Sequence, residues 1–490
     1  MMRDELKIID SKTLRSTALS LIAAAVLTAC VSTPVAEKPV LDLPQATSGP
    51  VAEDLGRWWL RYNDPALTAL IERALTYNTD LKVTEARVAE SAALLSVARS
   101  DLYPSLDAGF NASRSKATEA GVIPRPAGTY TSNNYQAGIT IAYELDLWGR
   151  VRNANKAAMA NLIASREAMA GFRSSLAAQV ARGYFTLLAT DRKLELTRQT
   201  LATREDAFQL AQKRLAGGTA NNLVVQQAQS ERDAIAASLP RLIAAQAQSE
   251  RALALLAGDS PRAIVENRIT RSKAEVLPPA PNVPEGLPSD MLARRPDIRE
   301  AEANLAATQA RVGQARAMYF PQIILTGSGG QESASLSDLF SGPALVWRLA
   351  ASITQPIFGL AQIDAGVKAA EAREEAAKAL YVKSVQTAFT EVYDAIGNMR
   401  AASDTLVAQE RRSGALRTSL RVAQLRYDAG VSGYLELLDA ERNLYSVDAD
   451  RIDAQAFRLN ASVDLFRALG GGWETAQITE QASAGTKGGK

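Results

Sequence analysis

Apolar residues recur at helical spacing along most of the chain, and four segments, two in each half, break that rhythm by alternating at every second residue. Residues 65–103 carry apolar positions three and four apart, open at Pro65 and stop at Pro104, whose missing N–H ends a helix. The period then becomes two. In SLDAGFNASRS, Leu106, Ala108 and Phe110 oppose Asp107, Gly109 and Asn111. In NYQAGITIAYELDLWG, Tyr135, Ala137, Ile139, Ile141 and Tyr143 oppose Gln136, Gly138, Thr140 and Glu144. This predicts strands over about 105–116 and 133–147, long enough to cross a bilayer at a tilt. Two soluble hairpins, each covering one side of a helix, satisfy the same alternation.

After the aromatic-glycine pair Trp148-Gly149, almost nothing interrupts a helix from Arg150 to about Ala216. At 1.5 Å per residue it would be ~100 Å long, against about three turns for an ordinary helix. The segment RLAGGTANN turns the chain, and a return helix reaches ALLAG at 254–258. Pro240 lies inside that return helix and is expected to kink it.

The second half repeats this plan. Leu75–Leu106 aligns without a gap on Leu292–Ile323, pairing Asp80 with Asp297, Glu85 with Glu302, Arg99 with Arg316 and Pro104 with Pro321. Strands are expected over about 321–333 and 345–358, where Trp347, Leu349, Ala351 and Ile353 oppose Arg348, Ser352 and Thr354. Phe358-Gly359 then opens helices over about 360–470, turned at RYDAGVSGY and closed at RALGGGW. The fold class is α+β with an internal twofold repeat, residues 57–290 and 291–473, each a strand hairpin on a long antiparallel helical hairpin. Within the motif RRPDI, Asp297 is expected to cap the helix that follows.

Composition narrows the chemistry. The 490 residues carry a formal charge of +2 and no histidine. Near-neutrality gives no support for nucleic-acid binding, and the missing imidazole removes the commonest general base and metal ligand. No nucleophile constellation, cofactor motif or nucleotide-binding loop stands out, so no enzymatic role, metal or cofactor is expected.

The N-terminus changes the compartment. Lys12 and Arg15 precede the apolar run Thr17–Leu27, which ends at Cys30, the one cysteine of the chain. Such a run is too short to span as a mature helix. It resembles a bacterial lipoprotein signal: residues 1–29 removed, Cys30 acylated, and residues 30–56 a Pro-rich linker. Val31, in place of an aspartate, implies the outer membrane. The polar residues 474–490 are expected to form a disordered tail.

Four membrane strands cannot close a barrel, and open edges are not tolerated in lipid. Two copies would give eight strands and three would give twelve; the small residues Gly109, Gly138, Ala350 and Ser352 suit a lumen wall and favour three.

The segments WWLRYNDPALTALIERAL, ELDLWGRVRNA, ARRPDIREAEANLAA, ARAMYFPQI, QPIF, RYDAGVSGYLELLDAERNLY and RALGGGW carry a resemblance covering nearly all of residues 55–473. The chain resembles TolC-like outer membrane factors, in particular NodT-type lipoproteins of resistance-nodulation-division efflux systems. The resemblance implies a homotrimer with a twelve-stranded transmembrane β-barrel and a periplasmic α-barrel of twelve helices. It implies a periplasmic adaptor and an inner-membrane pump as partners, outer membrane lipid as surroundings, and passive efflux of small molecules. It also implies a channel constriction at Glu436 and Asp439, with Tyr427 tying the closed entrance to a neighbouring carboxylate. The first-half position matching that carboxylate is Val224, so this chain departs from the family at that tie, and a closed state would rest on Arg417, Leu420 or Arg421, the residues near it, instead. A protein-secretion channel is the alternative within the class, and a periplasmic coiled-coil scaffold lipoprotein is the alternative outside it.

Overall fold

The computed structural model describes residue 39 and residues 56–118, 131–266, 268–272, 277–281 and 295–471. The expected signal segment, Cys30, all of the linker except Pro39 and Gly56, and the 474–490 tail lie outside the described residues. A 3-10 turn at Trp58–Tyr62 leads into α1 (Pro65–Tyr77), α2 (Thr79–Ser100), β1 (Ser105–Lys116), β2 (Thr131–Glu144), α3 (Arg150–Ala216) and α4 (Asn222–Leu256). After the short α5 (Pro261–Glu266) come α6 (Pro296–Ala317), β3 (Gln322–Ser333), β4 (Leu345–Thr354), α7 (Leu360–Asp428) and α8 (Tyr434–Ala468). The chain is α+β, dominated by helix. No described helix is long and apolar enough to cross a membrane.

The described residues divide into two compact units, one holding 89–118, 131–164 and 301–381, the other 56–88, 165–266, 268–272, 277–281, 295–300 and 382–471. The first holds an antiparallel sheet in the order β1-β2-β3-β4, with regular registers throughout. At its helical end Trp148 stacks on Phe320 with ring centroids 4.7 Å apart and donates from Nε1 to the Pro321 carbonyl at 2.7 Å. Asp146 accepts from the backbone N–H groups of Val151 and Arg152, satisfying donors that the start of α3 leaves open. β4 closes at Thr354, before Pro356, which has no N–H to give a ladder.

The second unit has a core built on rings. Trp58 stacks on Phe466 at 5.6 Å, and Tyr62, Tyr184, Phe185, Leu67 and Ile71 are buried around them. Asp64 caps α1, accepting from the N–H groups of Ala66 and Leu67, and its other oxygen accepts from the Tyr184 hydroxyl at 2.7 Å. Gly183 allows close approach between helices, because a Cβ there would lie 2.8 Å from Leu253 Cδ2. α4 runs without interruption through Pro240.

Helix ends are written the same way in both halves. The described glycines with positive φ fall into three pairs: Gly149 and Gly359 before α3 and α7, Gly218 and Gly430 after them, Gly258 and Gly470 after α4 and α8. At each of the last four, the N–H of the next residue bonds the carbonyl five positions back, as Thr219 to Arg214 and Val431 to Arg426, both at 2.9 Å.

Asp297 is not at the N-cap position, but its Oδ1 still accepts from the first-turn N–H of Ile298 at 3.0 Å. It sits second in α6, and Arg295 grips its carboxylate at 3.0 and 2.7 Å, reaches Glu391 at 2.7 Å and donates to the Ala468 carbonyl at 3.0 Å. The motif ties the start of α6 to the end of α8; the cap position is held by an arginine that has no acceptor to offer the helix.

Candidate functional site

Two features of the described chain have the character of a site, one in each unit. The first is the sheet. Directly opposed residues share a face, so the registers assemble rows across strands: Leu106, Ile141, Gly327 and Leu349; Ala108, Ile139, Gly329 and Trp347; Phe110, Ala137, Gln331 and Leu345. The apolar members are open to solvent in the single chain; Leu349 is 78% exposed, Trp347 75% and Phe110 61%. The opposite face carries Asp107, Thr140, Ser328 and Arg348 in one row, and Asn111, Gln136 and Glu332 in another. β1 and β4 are the edges, and each has a strand on one side. A sheet with one exposed apolar face, one polar face and two open edges is not self-sufficient in water.

The second feature is the pair of turns at 217–221 and 429–433, where α3 meets α4 and α7 meets α8. Phe208, Ala211, Val225, Ala228, Ala423, Leu437, Leu438 and Tyr434 form a buried cluster that joins the two hairpin ends. Burial raises the Tyr434 phenol above its ordinary range. Glu436 and Asp439 stand exposed on one side of α8, three residues apart, away from the buried Leu437 and Leu438. Glu436 accepts from Arg426 Nε at 2.9 Å and lies in the first turn of α8, whose amide dipoles favour a carboxylate. Asp439 accepts from Asn443 Nδ2 at 3.2 Å. Neither carboxylate faces a catalytic partner.

Tyr427 packs against Tyr434 with centroids 5.9 Å apart, and its hydroxyl accepts from Arg214 at 2.5 Å. The same guanidinium lies 5.3 Å from the ring centre. Of the residues expected to replace a carboxylate tie, Arg417 bonds Asp448 at 3.1 Å within its own hairpin and Leu420 packs on the buried cluster. Arg214 is the partner that sequence reasoning missed. Its signal was present: the shift that aligns Gly218 with Gly430 also aligns Arg214 with Arg426. Deeper in the bundle two ion pairs cross between hairpins, Arg204 with Glu441 and Arg442 with Glu231. Burial pulls the Arg204 pKa down, and the hydrogen bond from Arg442 holds Glu231 below the usual carboxylate range.

The sequence profile described as "Outer membrane efflux protein" matches residues 70–259 and 287–471. Outer membrane protein OprJ of Pseudomonas aeruginosa is 37% identical over 416 residues, 84% of this chain and 85% of its own. The probable outer membrane lipoprotein SilC of Salmonella typhimurium is 32% identical over 421 residues, 86% of this chain and 89% of its own. Among solved structures, the open state of the Neisseria gonorrhoeae MtrE outer membrane channel superposes with a TM-score of 0.76 at 30% identity, covering 91% of this chain and 99% of that one. Matched sequence thus takes in both the two-faced sheet and the paired helical turns, and the chain belongs to the outer membrane efflux protein family.

Proposed function

We propose that three copies of this chain join β1 to β4 edge to edge, forming a twelve-stranded barrel across the outer membrane. The repeated helical hairpins of each copy supply two similar sectors of a twelve-helix periplasmic tunnel. The channel conducts small molecules passively, and a periplasmic adaptor with an inner-membrane pump supplies direction and energy. The observation that carries this reading is the sheet. Its apolar face is exposed, its polar face suits water, and four strands fall short of the smallest closed barrel. Cys30 anchors the assembly through acyl chains in the same membrane, a role supported by the apolar run before it and by the relative described as a lipoprotein.

The constriction lies at Glu436 and Asp439. Three copies place six carboxylates around one axis, attracting cations and repelling anions. Arg426 neutralises part of that charge, and Arg214 on Tyr427 holds the two turns together where a carboxylate tie is lacking. The test is conductance of the purified protein in planar bilayers, for wild type and a Glu436→Gln/Asp439→Asn variant. A cation-selective current whose selectivity falls in the variant supports both channel and constriction. An unchanged selectivity removes the constriction, and absence of current with a monomeric protein removes the channel.

A further inference from the structure

The apolar face of the sheet does not end in neutral residues everywhere. On β2 it is bracketed by Tyr143 and Tyr135, eight residues apart with Ala137, Ile139 and Ile141 between them. At ~3.4 Å per residue the two tyrosines lie ~27 Å apart along the strand, or ~21 Å across a membrane at a tilt of about 40°. That is close to the height of about 25 Å expected between the aromatic girdles of a membrane barrel. Tyr135 is paired with Ala112 of β1. Beyond that row, on the same face, β1 continues with Arg114, opposite Asn133, and Lys116, opposite Thr131. Among all strand residues of the apolar face, these two alone are charged. Both are exposed.

In the barrel their side chains share the lipid-facing side with Phe110 and stand just past the row of Tyr135, at headgroup depth. This end of the sheet is the one away from α2, α3, α6 and α7, all of which join the strands at Ser105, Glu144, Gln322 and Thr354. With the helices in the periplasm, it meets the outer leaflet. Placing two cations within the hydrocarbon would cost several kcal/mol, whereas at headgroup level they meet phosphate.

We propose that Arg114 and Lys116, with the amide of Asn133 and the hydroxyl of Thr131 beside them, form a site for the phosphate of a phosphorylated glycolipid in the outer leaflet. The proposal rests on the barrel reading above. Arg114 supplies the planar fork that suits phosphate oxygens and Lys116 a compact charge, while Phe110 and Tyr135 lie below them along the acyl chains.

The test compares full-length protein in vesicles doped with bis-phosphorylated lipid A or with the same lipid A stripped of phosphate. After gentle extraction, retained lipid is counted by native mass spectrometry. Wild type is expected to retain the phosphorylated form on the order of tenfold better, since each cation near an anionic surface is worth about a factor of five. The Arg114→Gln/Lys116→Gln variant should approach parity. Arg348→Gln, which removes a charge from the opposite face, should keep the wild-type preference. A double variant that keeps the preference overturns the site, as does an Arg348→Gln variant that loses it equally. Failure of every protein to insert in either kind of vesicle overturns the barrel reading instead, and protease protection of the strands reports that separately.

Discussion

Asn78 and Arg295 occupy matching places, and they solve one problem with different chemistry. Asn78 accepts from the Leu81 N–H and donates from Nδ2 to the Leu256 carbonyl at 2.9 Å, capping α2 while holding the end of α4. Arg295 makes the corresponding tie to Ala468 at the end of α8, but a guanidinium accepts nothing, so Asp297 and Glu391 are drawn in to balance it. Asp64 carries more weight than either. Its buried carboxylate caps α1 and also accepts from Tyr184 and from Ser272 Oγ at 2.8 Å. Asp64→Ala should destabilise the second unit by about 2–4 kcal/mol, one part lost cap and one part stranded phenol, read as a lower thermal midpoint by circular dichroism. Asp64→Asn, which keeps an acceptor, should lose less. Burial pushes Tyr184 up to about 12, and burial raises Tyr62 further still. An unfolded tyrosine ionises near pH ~10, so the stability these phenols contribute is complete below that pH and is lost as pH rises toward 12. Tyrosinate absorbance should show both remaining protonated while exposed tyrosines ionise, until unfolding releases them together.

At the scale of elements, α3 and α8 are joined by an antiparallel ladder. Arg182 meets Asp464, Lys193 meets Asp453 at 2.6 Å, Thr197 meets Tyr445 at 3.0 Å, and Arg204 meets Glu441. The Arg182 and Lys193 rungs keep part of their side chains in water and contribute little, since water screens them. The Arg204–Glu441 rung differs: the arginine side chain is only 4% exposed. Glu441→Gln leaves a buried guanidinium without its counter-charge and should cost about 3 kcal/mol, whereas Arg204→Met/Glu441→Leu should recover most of that. Chemical denaturation of the three proteins checks the ordering. The rung joins a helix of the first half to a helix of the second, so its loss should also expose the 217–221 and 429–433 turns to protease.

At the scale of the molecule, the proposed barrel requires the sheet to curve. Gly109, Gly138 and Gly330 stand side by side on the polar face of three adjacent strands. A Cβ on Gly330 would lie 2.3 Å from the Ala137 carbonyl oxygen and one on Gly138 2.8 Å from that of Gly329, while nothing lies within 4 Å at Gly109. The backbones of β2 and β3 thus leave no room for a side chain at Gly138 and Gly330, and in the proposed barrel a glycine row of this kind is where the wall would turn. Gly330→Val should lower the yield of heat-modifiable oligomer severalfold and leave the helical circular dichroism nearly intact. Gly109→Ala should assemble as wild type.

Periodicity alone determined the elements, because local sterics enforce it. Alternation over Leu106–Phe110 and Tyr135–Tyr143 marked strands, and unbroken helix formers after Gly149 and Gly359 marked α3 and α7. The glycines that punctuate those elements were equally legible, because positive φ acts through their own backbone. Partners across the fold were not legible. Arg214 reaches Tyr427 across 213 positions, Arg204 reaches Glu441 across 237, and Arg295 both stands at the cap position and binds the Asp297 carboxylate. A charged side chain has several candidate partners of equal merit in a linear sequence, and only packing of the helices brings one of them within bonding distance and removes the water that would otherwise weaken the pair. So the sequence by itself settled which long segments are helix and which are strand and where the hairpins turn. Its spacing ran residues 65–103 together as one helix, where the structure breaks at Asn78 between α1 and α2. The tertiary structure decided which charges meet, which strands pair to set Arg114 and Lys116 beyond Tyr135 on one face, and where two strands approach too closely for a side chain, because only packing fixes those distances.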